Sequence, residues 1–138
     1  MKFLTISLLM IVFFVTEKLT AQSSKITVTV INATSGAGKV SYALYNKENF
    51  RNEPILAKSS VIKEGKSIVV FNDVPKGEYA VICFHDKNDN DKMDFQANGM
   101  PIEDYGVSTN NINRFGPPVF EDAKFTVIDK DVSLEIKF

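Results

Sequence analysis

The sequence has 138 residues with 16 basic and 17 acidic side chains, so its formal net charge of −1 offers no positive excess for binding nucleic acid. A single cysteine, Cys83, excludes an intramolecular disulfide, and a single histidine, His85, excludes a multi-histidine metal centre. Because Cys83 lies in the apolar run AVICF, we expect it to be buried packing rather than a reactive thiol.

The first 21 residues have the pattern of a secretory signal peptide. Lys2 precedes an apolar stretch from Ile6 to Val15, which is about half as long as a membrane-spanning helix needs to be. Cleavage is expected after the small residue Ala21. We therefore predict one secreted or periplasmic domain over residues 22–138, with a net charge of 14 − 16 = −2 and no membrane insertion after cleavage.

Short segments rich in Val, Ile and aromatic residues then alternate with turn signals along the chain. In KITVTVIN, for example, Ile26, Val28 and Val30 share one face, and in IKEGKS a tight hairpin needs Gly65. Strands are predicted at 25–32, 38–46, 57–63, 66–71, 78–86, 123–128 and 132–138. About seven strands in a domain of this size predict an all-β, two-sheet antiparallel β-sandwich.

Two segments lack a clear strand pattern. Residues 47–54 are predicted to form either a loop or a helical turn. Residues 87–121 contain no strand pattern, yet they carry many apolar side chains that have to be covered. We therefore expect a long ordered loop after the central strand, lying over one end of the sandwich.

The strand at 78–86 follows a Pro-Lys-Gly turn and is apolar on both faces, which indicates a central position. His85 shares a face with Cys83, but side chains two residues apart on a strand run parallel and are poorly placed for proton transfer. We expect His85 to be a structural residue that hydrogen-bonds the long loop. The less favoured alternative is a hydrolase that uses His85 with Asp86 or Glu103.

The stretch HDKNDNDKMD places oxygen-bearing side chains at alternate positions. Counted from Asp86 as position 1, it predicts a Ca²⁺ site whose ligands are Asp86, Asn88, Asn90, the backbone carbonyl of Lys92, and Asp94. Two positions depart from a calcium-binding EF-hand loop, with Asp91 at the usual glycine and Ala97 at the usual closing glutamate. Glu103 or Asp104 is the expected replacement ligand, and the affinity is expected to be on the order of 10⁻⁴ to 10⁻³ M. The alternative is a polar turn in which Asp and Asn cap their own backbone.

The segment from Pro75 to Asn110 resembles the central motif of a bacterial family of small secreted proteins, domain of unknown function 2141. The matching positions are Pro75, Gly77, Tyr79, His85, Asp86, Asn88, Asn90, Lys92, Met93, Asp94, Gly99, Pro101, Tyr105, Gly106, Ser108 and Asn110. The resemblance implies a prealbumin-like or immunoglobulin-like β-sandwich without established enzymatic activity, and by analogy it favours calcium at the Asp/Asn loop.

These features together predict a secreted, non-catalytic module whose long loop binds a glycan, peptide or protein partner. The possible contacts are His85, Glu103, Tyr105, Asn110, Asn111, Arg114, Phe115 and Phe120, although each aromatic ring could instead pack the loop onto the sandwich. A second hypothesis is a structural subunit that self-assembles through an exposed edge strand at 25–32.

Overall fold

The computed structural model describes residues 22–138, which form two packed β-sheets. The predicted signal peptide and its cleavage point lie outside the described residues. Between residues 22 and 138, no helix has the length and apolar content that crossing a membrane requires. The elements are β1 Ser23–Val30, β2 Lys39–Tyr45, β3 Leu56–Ser60, β4 Ser67–Pro75, β5 Gly77–Asp86, β6 Tyr105–Val107, α1 Phe120–Ala123, β7 Phe125–Val127 and β8 Val132–Ile136.

The first sheet has the order β4-β1-β8. The predicted alternation in β1 is confirmed, because Ile26, Val28 and Val30 are all fully buried. β1 pairs with β4 in antiparallel and with β8 in parallel orientation, so the prediction of a purely antiparallel sandwich was wrong at this pair. The chain crosses over from β7 in the second sheet before it forms β8, which lets β8 enter beside β1 in the same direction.

The position of β1 also overturns the proposed route to self-assembly. The strand at 25–32 was expected to offer a free edge, but both edges of β1 are hydrogen-bonded within the first sheet. Its backbone therefore has no free row of donors and acceptors for a second chain. The edge strands of this sheet are β4 and β8 instead.

The second sheet has the order β3-β2-β5-β6, and β7 pairs with the first residues of β5. The central position predicted for β5 is confirmed, since Ile82 pairs with Ala43 on one side and Val107 on the other. The inner face of β5 enters the main core through Val81 and Cys83. The thiol of Cys83 is fully buried, as predicted, and burial raises its pKa.

The long segment is ordered, as predicted, but two details differ. It contains the strand β6, which the sequence pattern did not show because three residues are too few for a periodic signal. Its first part lies at one end of the sandwich, as predicted, where Asp104 bonds Thr34 and Asp89 pairs with Lys39. Its later part covers the outer face of the second sheet, where Phe120 and Ala123 of α1 and Val107 form a small second core with Ala80 of β5. The predicted strand at 123–128 is correspondingly shorter, because Ala123 ends α1.

Residues 47–54 form turns without a helix. Asn46 and Asn49 hold the first turn together, because the side-chain oxygen of each accepts a hydrogen bond from the backbone N–H of the other at 3.1 Å. The turn brings Phe50 against Phe120, with ring centroids 5.5 Å apart in an edge-to-face arrangement. The loop after β2 is thereby joined to the far end of the long segment.

Candidate functional site

The Asp/Asn loop begins at Asp86, the last residue of β5, whose side chain is fully buried. Its two carboxylate oxygens accept hydrogen bonds from the backbone N–H groups of Asn90 at 3.0 Å and Asp91 at 2.8 Å. Asp91 has φ +62°, so it adopts the left-handed conformation that glycine usually supplies at this position. The chain therefore winds tightly around the Asp86 carboxylate.

Three of the predicted ligand side chains meet on the exposed side of this loop. The side-chain amide of Asn88 donates to Asp94 at 2.8 Å, and the amide of Asn90 donates to both oxygens of Asp94 at 3.0 and 3.1 Å. The predicted convergence of positions 88, 90 and 94 is thus present as geometry. Within residues 22–138, however, no group of three or more His, Cys, Asp and Glu side chains is arranged to hold a metal ion.

Glu103, which follows the Asp/Asn loop in the long segment, connects the two ends of that loop. It is buried, and its two oxygens accept hydrogen bonds from the backbone N–H of Lys87 at 3.0 Å and of Asp94 at 3.2 Å. Asp104 turns away to Lys87, whose ammonium group 3.0 Å away lowers the pKa of the Asp104 carboxyl. Of the two expected replacements for a ligand at Ala97, Glu103 accepts hydrogen bonds from the backbone of the Asp/Asn loop, whereas Asp104 pairs with the side chain of Lys87.

One basic residue of β2 reaches the loop, and the sequence analysis did not find it. The ammonium of Lys39 lies 2.6 Å from both Asp89 and Asp91 and 4.0 Å from Asp86. Hydrogen bonds to Asp89 and Asp91 raise the pKa of Lys39. Part of the negative charge of the loop is therefore balanced by the protein itself.

His85 lies inside the sandwich, and its ring is fully buried. Its Nε2 atom is 2.8 Å from the carbonyl oxygen of Ala37, and its ring stacks on Phe138 at an interplanar angle of 13°. The long loop reaches His85 through a backbone hydrogen bond, in which His85 N–H donates to the carbonyl oxygen of Asp104 at 2.8 Å. The predicted hydrogen bond between His85 and the long loop is therefore present through the backbone, while the side chain bonds the loop before β2.

The later part of the family-like motif attaches the long segment to the sheets. Gly106 packs so closely on Ile136 of β8 that a Cβ atom would overlap it. The hydroxyl of Ser108 accepts a hydrogen bond from Val81 N–H at 3.0 Å and donates to the carbonyl of Ala123. Asn110 bonds the β8 end of the chain through Glu135 O and Lys137 N. These motif residues have structural contacts that their spacing alone did not reveal.

A broad cleft, called the groove below, opens on the outer face of the second sheet and has a volume of about 870 Å³. Ile82 and Phe84 of β5 and Tyr105 of β6 form its floor. Two parts of the long segment form its sides, residues 93–101 and residues 112–118. A smaller hollow of about 350 Å³ shares Tyr45, Ile82 and Phe84 and extends toward β3, so the open face of the sheet is continuous.

The sides of the groove expose large apolar side chains. Phe95 and Met100 are 56% and 57% exposed, and Phe115 is completely exposed. Apolar side chains clustered in this way on a surface usually mark a binding site. Both arginines of the chain, Arg51 and Arg114, also line this groove.

The structure divides the predicted contact residues into two groups. Tyr105, Arg114 and Phe115 line the groove. The other predicted contacts, His85, Glu103, Asn110, Asn111 and Phe120, do not line it, and Phe120 is buried in the small second core. Arg51, Phe95 and Met100 were not assigned as contacts from the sequence. Phe95 and Met100 had a usable signal, because they are large apolar residues in a mostly polar stretch, whereas Arg51 had none.

The family model described as "Uncharacterized protein conserved in bacteria" (DUF2141) matches residues 28–135. A comparison with curated proteins finds no match. Among solved structures, a mutant of the pilus-presented adhesin Spy0125 (Cpa) is similar at 13% identity and a TM-score of 0.29, over 87% of this chain and 28% of the adhesin. Another crystal form of that adhesin gives 13% identity and a TM-score of 0.28, over 84% of this chain and 27% of the adhesin. This chain thus spans less than a third of the adhesin, and a TM-score this low supports no functional argument.

Proposed function

This chain belongs to the DUF2141 family of bacterial proteins, and from that premise we propose that it is a secreted, non-catalytic β-sandwich module that binds a partner in the groove. The observation that carries the proposal is the exposure of Phe95, Met100 and Phe115 around an open sheet face. Burying such side chains against a ligand is favourable by roughly 25 cal/mol per Å² of apolar surface. A ligand bound in the groove would remove these three apolar side chains from water.

The proposal that the module is non-catalytic is supported by the position of its only histidine. His85 is fully buried, and its Nε2 atom is occupied by the Ala37 carbonyl, so a substrate in the groove would not contact it. Asp86 and Glu103, the partners considered for a hydrolase, use their carboxylate oxygens to accept backbone N–H groups of the loop. These contacts give each side chain a structural role.

Replacing Phe95 and Phe115 together with serine tests the groove. We expect the pair of substitutions to weaken ligand binding at least about 30-fold, the loss that follows if only one of the two rings is an anchor that contributes about 2 kcal/mol. Binding would be measured on arrays of defined peptides and glycans, followed by titration of the hits. Both side chains are more than half exposed, so the melting temperature should change little.

The matched control replaces Val61 and Ile68 with serine. These residues are 61% and 52% exposed and lie outside the groove, so binding should be retained. Equal loss of binding in both variants, or a wild-type protein that retains no peptide or glycan, would contradict the groove as the binding site.

A second candidate function is calcium binding at the Asp/Asn loop, and one observation favours it. Asn88, Asn90 and Asp94 already meet within hydrogen-bonding distance, although the two amides present their N–H groups to Asp94. A rotation of each amide would exchange nitrogen for oxygen, and the amide and carboxylate oxygens could then serve as Ca²⁺ ligands. Asp86 would add a charged ligand, since an oxygen that accepts one N–H keeps a second lone pair. A bound cation would hold the loop that forms one side of the groove.

Thermal melting with and without calcium tests this site. At a tenfold excess of Ca²⁺ over Kd, we expect the wild-type protein to gain about 1.4 kcal/mol of folding free energy. Asp94→Ala should lose that gain, whereas Asp129→Ala, an exposed carboxylate outside the loop, should keep it. An unchanged melting temperature at about 10 mM CaCl₂, well above the Kd expected of such sites, would refute calcium binding, as would an equal gain in Asp94→Ala.

A further inference from the structure

The two arginines set the chemistry of the groove. The chain has 16 basic residues, and its only two arginines, Arg51 and Arg114, both line this one cleft. Among the side chains of residues 22–138, no Asp or Glu lines it. In a chain of net charge −1, the groove is therefore a local positive region on an apolar surface.

The arginines also differ from several lysines in how they are used. Lys39, Lys47 and Lys124 each form an ion pair with a carboxylate of the protein. Over residues 22–138, neither arginine forms an ion pair or a side-chain hydrogen bond, and both are exposed. A guanidinium group presents its donors in a planar fork that matches a carboxylate, so these two groups are available to bind acids of a ligand.

The backbone conformation of Arg51 is unusual and is fixed by its neighbours at the edge of the groove. Arg51 has φ +63°, a left-handed conformation that is uncommon for a residue other than glycine. The turn before it is fixed by the paired Asn46 and Asn49 side chains, and Phe50 packs on Phe120 beside the groove. The fold thus holds Arg51 in a disfavoured conformation at the rim of the groove.

We infer that the groove binds an acidic, amphipathic peptide segment of a partner protein. Apolar side chains of the peptide would lie on Ile82, Phe84 and Tyr105, and its carboxylates would pair with Arg51 and Arg114. Flexible Met93 and Met100 can adapt to different side chains, which suits a peptide. The open cleft of about 870 Å³ can accept several residues of an extended chain. This inference rests on the proposed groove function.

The test uses three fluorescent peptides of the same apolar spacing, EDFELLDE, QNFQLLNQ and KKFKLLKK, titrated into residues 22–138 by anisotropy. We expect the acidic peptide to bind at least about tenfold more tightly than the neutral one, and the basic one not at all. Arg51→Met with Arg114→Met should remove this preference and leave the weaker affinity for the neutral peptide unchanged. Replacing both arginines with lysine should restore part of the preference, because the charge returns without the planar fork.

The matched control is Lys25→Met with Lys130→Met, which removes two exposed positive charges outside the groove. It should leave the preference for the acidic peptide intact, and an equal loss in this control would overturn the inference.

Binding of neutral and acidic peptides alike would overturn the inference but leave the groove in place, provided that Phe95→Ser with Phe115→Ser abolishes both. Binding of the acidic peptide that survives those two substitutions would overturn the groove itself. Binding of phosphatidylglycerol vesicles or of acidic sugars without peptide binding would overturn the choice of a peptide.

Discussion

Replacing Gly38 with alanine is expected to lower the free energy of unfolding by about 2 to 5 kcal/mol, the sum of a left-handed backbone cost and of overpacking. Gly38 has φ +64°, and a Cβ atom there would overlap the carbonyl oxygen of Asp86 and approach Lys87 C to 3.0 Å. Both neighbours are backbone atoms at the exit of β5, so no side chain can move aside. Since natural domains have about 5 to 15 kcal/mol of stability in total, urea unfolding should show a large shift of the midpoint.

Gly36→Ala provides the matched control for this experiment. A Cβ atom on Gly36 meets nothing within 4 Å, and the residue lies in the same loop between β1 and β2. We expect its free energy of unfolding to change by less than about 1 kcal/mol. Equal effects of the two substitutions would show that the approach of this loop to Asp86 does not stabilise the fold.

Replacing Asp86 with alanine is expected to destabilise the protein by about 3 kcal/mol, because two backbone N–H groups lose a charged acceptor. These are the N–H groups of Asn90 and Asp91, which bond the buried carboxylate at 3.0 and 2.8 Å. Asp86→Asn keeps one acceptor oxygen and should show a smaller loss. Hydrogen exchange of the Asn90 and Asp91 amides, measured in the presence of a calcium chelator, should be faster in both variants.

Asp89→Ala separates this effect from the general loss of a negative charge in the loop. The Asp89 side chain is 64% exposed, and its one ion pair among residues 22–138 is with Lys39. With the small added cost of alanine at φ +57°, we expect a change within about 1 kcal/mol. If Asp86→Ala were no more destabilising than Asp89→Ala, the loop would not depend on the buried carboxylate. Because the measurement is made without calcium, its outcome does not depend on the calcium proposal.

The motif residues and the residues proposed to bind the ligand are different sets in this chain. Ser108 and Asn110 hold the segment to the sheets, and Asp86 and Glu103 shape its first turn. These motif residues build the frame of the groove. The side chains that we propose to select the ligand, Arg51 and Arg114 above all, lie within the matched residues 28–135 but outside the motif from Pro75 to Asn110.

Local pattern predicted the parts of the fold in which local chemistry decides the conformation. The hairpin at Gly65 is present with φ +74°, and the buried alternation of Ile26, Val28 and Val30 is present in β1. Pairing partners were less accessible to sequence reasoning. The parallel pairing of β1 with β8 joins residues more than 100 positions apart. The sequence of neither strand indicates which strand it will pair with.

The candidate site shows the same division. The alternate polar positions of HDKNDNDKMD predicted that the side chains of Asn88, Asn90 and Asp94 face one point. These side chains meet, because a tightly wound loop brings alternate residues to one side, and they do so through amide N–H groups that donate to Asp94. The sequence did not show that Lys39 from β2 reaches the same loop, since strand pairing brings it there.

The sequence by itself determined an all-β chain with a buried thiol, a central strand ending at His85 and Asp86, and membership of a recognisable family. Period-2 alternation, turn residues and motif spacing are local properties, so they can be recognised in the sequence without knowledge of the tertiary structure. Only the tertiary structure decided that Arg51 and Arg114, far apart in sequence, line one apolar groove with Phe115. That juxtaposition depends on the long segment folding back over the outer face of the sheet, where burial of Phe120 and Ala123 stabilises it.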